Sequence, residues 1–137
     1  MAARAHVVNR QGVHQVTVSS RGSSRSIEIL PKASGTGSSV NSGELLFLAL
    51  ATCYYNDLYR EAAKRGMIVE DVAVEGEFGS EREPASSITY HARMTAKADE
   101  AAIDDVIWHT DTVAEIYNSL RRSTPVRFDR IEAIRGG

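Results

Sequence analysis

NSGELLFLALATCYYNDLYREAAKRG, residues 41–66, reads as one helix of about six turns at roughly 3.6 residues each. Asn41 is a good N-cap, and Glu44, three residues on, completes a capping box. Gly66 suits the C′ position, and Lys64 and Arg65 before it suit the negative end of the helix dipole. The first half is apolar nearly all round: Leu45, Leu46, Phe47, Leu48, Ala49, Leu50 and Ala51. A helix of that kind is expected to be buried on every side. In the second half, Tyr55, Leu58, Tyr59 and Ala62 are expected on one face, with Asp57, Arg60, Glu61 and Lys64 opposite. Cys53 projects toward Asp57 and Arg60, where the dry part of the helix gives way to the charged part.

The flanking sequence supplies strands around this helix. Residues 4–9 and 13–20 read as two strands, the second rich in β-branched side chains. Arg10-Gln11-Gly12 reads as the tight turn between them. A third strand is expected over 25–30, ended by Pro31, which cannot donate to a ladder. KASGTGSSV, residues 32–40, is a Gly/Ser loop without the GxxxxGK[ST] spacing of a phosphate loop. After the helix, residues 67–78 alternate as a strand, 79–86 form a polar turn containing Pro84, and 87–98 form a partner strand. That partner has Ile88, Tyr90, Ala92, Met94 and Ala96 on one face. Asp99 caps a second helix expected to run to about Arg121. Its core stripe comprises Ile103, Val106, Ile107, Thr110, Val113, Ala114, Tyr117 and Leu120, with Trp108 on the opposite side. A last strand is expected over 125–134, with its faces unassigned.

The order β-β-β-α-β-β-α-β predicts an α+β fold with antiparallel hairpins and one central hydrophobic helix. Six short strands and one amphipathic helix cannot cover such a helix in a chain of 137 residues. The sequence therefore predicts an intertwined homodimer built from a single domain, 1–137.

Composition narrows the function. Charged residues are 25% and the formal net charge is −2, which gives no global attraction to nucleic acid or anionic membrane. The basic group Arg121, Arg122, Arg127 and Arg130 reads as a solvated edge. The single cysteine cannot form an internal disulfide and, with no apolar leader at the N-terminus, predicts a cytoplasmic protein. The longest apolar run is far short of the roughly 20 residues that span a bilayer. The four histidines show no H-x-x-x-H spacing, so no metal or other cofactor is expected.

The residues of the central stretch resemble the OsmC/Ohr family, the osmotically inducible protein C and organic hydroperoxide resistance proteins. The family pattern P-x-E-L-L-x-x-A-L-x-x-C is met by Glu44, Leu45, Leu46, Ala49, Leu50 and Cys53. Its K-R-G helix end is met by Lys64, Arg65 and Gly66, and V-E-D-V-x-V-x-G-x-F by the run from Val69 to Phe78. The resemblance implies intertwined dimers and thiol-dependent reduction of hydroperoxides. In such a reaction one cysteine becomes a sulfenic acid and a second cysteine resolves it. The attacking cysteine falls on Cys53, and the arginine that holds its thiolate on Arg10. The assisting glutamate's usual position is Gly43, with Glu44 next to it, and the resolving cysteine's position is Ala114. The resemblance thus implies catalytic roles for Cys53, Arg10 and Glu44, with an external thiol as reductant and a small hydrophobic peroxide as substrate. A non-catalytic dimer holding a small hydrophobic ligand beside Cys53 is the alternative. A hot-dog thioesterase is a weaker one, opposed by the long helix before the last strand.

Overall fold

A computed structural model of the chain describes residues 3–10, 12–34, 36–78, 88–122 and 126–137, without the side chains of Phe78, Tyr117, Val126 and Phe128. Gln11, the turn expected over 79–86 and Pro125 lie outside the described residues. The order of elements is β1 (Ala3–Arg10), β2 (Val13–Ser20), β3 (Ser23–Ile27), α1 (Ser42–Lys64), β4 (Val69–Phe78), β5 (Ile88–Ala96), α2 (Glu100–Val113), α3 (Glu115–Leu120) and β6 (Val126–Arg135). These group into two compact units, Met1–Leu45 and Leu46–Gly137.

The first unit is an antiparallel sheet in the order β1-β2-β3. Arg10 pairs with Val13 across the first turn, and Ser20 with Ser23 across the second. The third strand stops at Ile27, three residues short of the expected end. Beyond it the backbone bonds across the Gly/Ser loop instead: Ser39 N–H donates to the Leu30 carbonyl at 2.9 Å and Lys32 N–H to that of Gly37 at 3.1 Å. The loop thereby takes backbone groups that a longer strand would have offered to β2.

The ends of α1 are as its sequence dictates. Asn41 and Glu44 exchange reciprocal bonds of 2.8 Å, each side chain accepting from the other's backbone N–H. At the other end Gly66 has φ +66°, a conformation that penalises any side chain bearing a Cβ. Met67 N–H donates to the Ala62 carbonyl and Gly66 N–H to that of Ala63, both at 3.0 Å. This pair of bonds is the Schellman arrangement, which satisfies two carbonyls left open by the end of the helix.

The second unit is a sheet in the order β4-β5-β6. β4 and β5 are antiparallel, as the alternation predicts. β6 joins β5 in parallel, a departure from hairpin pairing that needs a crossover, here supplied by α2 and α3. Every second residue of β5, from Ile88 to Ala96, is buried. These five side chains form one core with Ile103, Val106 and Ile107 of α2 and with Leu50, Tyr54, Leu58 and Ala62 of α1. On β6, Ile131 and Ala133 pack against the same core. Burying one such aliphatic side chain is worth about 1.5–3 kcal/mol.

Two expectations about the helices need correction. The inner face of α1 is Leu50, Tyr54, Asp57, Leu58, Glu61 and Ala62. Tyr55 and Tyr59 point outward, 41% and 37% exposed, and stack edge-on at 5.0 Å. Leu46 and Leu48 are also exposed in the single chain. The second helix is not continuous either. Ala114 leaves the helical region (φ −68°, ψ 108°), ending α2, while its carbonyl receives Asn118 N–H and so opens α3. Polar side chains reach carbonyls of the last turn of α2 around the break. Thr112 Oγ1 donates to the His109 carbonyl (2.7 Å), Asn118 Nδ2 to that of Thr112 (3.0 Å) and Arg121 Nη1 to that of Asp111 (3.0 Å). Trp108 is 48% exposed, on the outer side of α2 as expected. No described helix is long and apolar enough to cross a membrane.

Candidate functional site

Cys53 sits at the margin of the inner face of α1, one turn before Asp57, and is half-buried. Its thiol donates to Asp57 Oδ2 at 3.7 Å, a reasonable length for a bond involving sulfur. The backbone N–H of Ile116, in the first turn of α3, also acts on the sulfur. The break at Ala114 makes this contact available: the opening N–H groups of a helix have no partner within it. Ala114 itself is fully buried.

The thiol is held above its ordinary pKa. Burial is the main cause, opposed by the Ile116 N–H and reinforced by the negative charges of Asp57 and Glu115. At neutral pH Cys53 is therefore a thiol rather than a thiolate.

Behind the thiol runs a chain of charges on α1. Asp57 Oδ1 is 2.7 Å from Arg60 Nη1. Arg60 Nε reaches Glu61 Oε1 at 3.2 Å, and Lys64 Nζ reaches the same oxygen at 2.9 Å. His109 of α2 closes on Glu61 Oε2 at 3.3 Å. Asp57 and Glu61 are only 7% and 5% exposed. Buried carboxylates persist only when paired, and these two are paired by exposed cations lying over them. The hydrogen bond from Lys64 holds the Glu61 carboxyl below the usual range, with Arg60 adding to it. Beside this chain, Tyr54 O–H donates to the Ile107 carbonyl at 2.8 Å, and its ring lies 5.3 Å from that of Tyr90.

Of the residues expected at the site, Cys53 lies in the second unit, and Arg10 and Glu44 lie in the first. Arg10 is the last residue of β1 and is exposed. The Glu44 carboxylate is engaged in the capping box. Residue type alone puts Asp57 and Glu61 on a wet face, and nothing in the sequence brings Ile116 N–H to Cys53. The 50-54-57-61 spacing carried the signal for the two acids, but a residue-type reading sorts acids outward. Among the described residues no group of three His, Cys, Asp or Glu side chains is placed to hold a metal ion.

The arrangement defines an α+β protein of a particular class: a long helix laid on a small sheet, with one cysteine presented at its edge to the start of a second helix. Solved structures of that class superpose over nearly the whole chain. An OsmC-like protein from Mycoplasma pneumoniae matches with TM-score 0.69 at 13% identity, over 96% of this chain and 98% of that one. An organic hydroperoxide resistance protein from Elizabethkingia anophelis, solved with crystallant-derived thiocyanate bound, matches with TM-score 0.63 at 14% identity, over 96% of each chain. The organic hydroperoxide resistance protein of Bacillus subtilis matches with TM-score 0.58 at 15% identity, over 95% of this chain and 98% of that one. No curated protein matches the chain by sequence. The model of the OsmC-like protein family matches residues 35–129, and the chain belongs to that family.

Proposed function

We propose that this protein is a one-cysteine organic hydroperoxide reductase. The observation that carries the reading is the setting of Cys53. It is the only thiol of the chain, half-buried at the edge of the core, hydrogen-bonded to Asp57 and stabilised as thiolate by the nearby Ile116 N–H. A sulfur in that position attacks the distal oxygen of a hydroperoxide. The S–O bond forms as the O–O bond breaks, giving a sulfenic acid and an alcohol. With Ala114 at the resolving position, an external thiol condenses with the sulfenic acid and releases water, and a second external thiol restores Cys53. Arg10 is the proposed charge partner, and Glu44 the proposed auxiliary carboxylate beyond its capping role.

Labelling with a dimedone-type probe tests the reaction. An organic hydroperoxide is expected to give rapid, stoichiometric labelling at Cys53 that Cys53→Ser abolishes. Arg10→Ala is expected to slow it about tenfold, the effect of losing about 1.4 kcal/mol of charge interaction with the sulfur as it attacks. A thiol that reacts no faster than free cysteine sinks the proposal.

A homodimer is proposed as the working form. Leu46, Leu48, Tyr55 and Tyr59 lie along one helix and are exposed in the single chain, more apolar surface than an isolated subunit usually leaves open. A solution mass of two chains is expected, and a well-folded monomer would contradict it.

A further inference from the structure

We propose that Asp57 is a catalytic residue of this site, the group that takes the Cys53 proton as sulfur attacks and hands it to the departing alkoxide. The inference rests on the hydroperoxide reductase reading and adds to it a carboxylate, on the turn after the cysteine, that the resemblance does not supply.

Three observations combine. First, Asp57 Oδ2 accepts the Cys53 S–H at 3.7 Å, so an acceptor stands within hydrogen-bond distance of the proton that must leave. Second, Arg60 Nη1 holds the other oxygen, Oδ1, at 2.7 Å, which fixes the carboxylate with Oδ2 toward sulfur. Third, Asp57 is 7% exposed, so water competes little for that oxygen. The charged groups around the pair are Arg60 and Glu61 on α1 and Glu115 on α3, with His109 of α2 reaching Glu61. The only cation touching Asp57 among the bonds described is Arg60. It neutralises the carboxylate without standing between it and the thiol.

The step balances without any further reagent. A sulfur lone pair forms the S–O bond to the distal peroxide oxygen, and the S–H proton passes to Asp57. The O–O bond breaks, and the distal oxygen with its hydrogen becomes the sulfenic acid. The proximal oxygen departs with the bonding pair and takes the proton from Asp57, leaving an alcohol and the original carboxylate. Sulfur is oxidised by two electrons and the peroxide is reduced by two. A thiol that stays protonated at rest needs such an acceptor, and an alkoxide is a poor leaving group until it is protonated.

The test compares two electrophiles on the purified protein. Iodoacetamide reacts with thiolate and returns no proton, so its rate is expected to climb about tenfold per pH unit below the thiol pKa. The peroxide rate is expected to stay level over the same range, because the thiol and its carboxylate act together. Asp57→Asn is expected to raise the alkylation rate at neutral pH about threefold or more by removing a negative charge. It is expected to lower the peroxide rate about 100-fold, and Asp57→Glu to recover most of that loss. A wild-type peroxide rate that climbs in step with alkylation overturns the inference. So does an Asp57→Asn protein whose two rates rise together. In both cases hydroperoxide reduction by Cys53 still stands. No peroxide reaction at any pH overturns the reductase reading itself. The wild-type comparison holds even if a variant fails to fold.

Discussion

Replacing Tyr54 by alanine is expected to destabilise the fold by about 4 kcal/mol, the range for deleting a fully buried aromatic ring. Tyr54 is entirely excluded from solvent at the centre of the second unit. Its ring tilts 60° against Tyr90, and its hydroxyl gives the Ile107 carbonyl a buried partner. Two losses therefore add: a cavity between α1, α2 and β5, and one buried hydrogen bond. Tyr54→Phe separates them, keeping the ring and costing about 1 kcal/mol. Denaturant melts at one fixed protein concentration measure both. A Tyr54→Ala cost below about 1 kcal/mol would mean that the inner face of α1 has been assigned to the wrong tyrosine.

Gly76→Ala is expected to cost about 3 kcal/mol, at the upper end of ordinary overpacking. A Cβ at Gly76 would lie 2.3 Å from Phe47 Cζ and 2.4 Å from the Thr89 carbonyl oxygen. The ring can move, but the oxygen belongs to the backbone of β5 and cannot move without disturbing the β4–β5 ladder, where Gly76 pairs with Tyr90. The glycine is thus a point of close approach, one of the recognised uses of glycine within a strand. The double variant Phe47→Ala, Gly76→Ala is expected to recover only part of the loss relative to the summed single costs, since the backbone clash remains. A neutral Gly76→Ala would mean that Phe47 does not cover this strand.

These two positions show how unevenly the sequence spoke. The caps of α1 were legible because each depends on a few adjacent residues: Asn41 and Glu44 at one end, Gly66 at the other. The inward set of β5 was legible because strand alternation leaves one choice of face, and Ile88, Tyr90, Ala92, Met94 and Ala96 make only one of them apolar. The inner face of α1 was not. Its sequence is apolar on several sides and carries three tyrosines within six residues, so composition did not fix the rotation of the helix. The neighbours did, through Ile107, which bonds Tyr54, and the cations lying over Asp57 and Glu61. The break at Ala114 was hidden because a buried alanine fits a helix interior as well as a helix end. Among the described residues, bonds from Asn118 and Arg121 to the Thr112 and Asp111 carbonyls span the break.

The sequence by itself determined the α+β order of elements, the helix that carries Cys53, and membership of the OsmC-like family. Those are properties of local pattern and spacing. Helical spacing already put Asp57 one turn from the thiol. Tertiary structure decided the rest of its surroundings: it brought Ile116 of α3 to the sulfur and buried two acids that residue type assigns to solvent. The physical reason is that a side chain's charge is local, whereas its solvation and its partners are set by elements far along the chain. The chemistry of Cys53 depends on the second more than on the first.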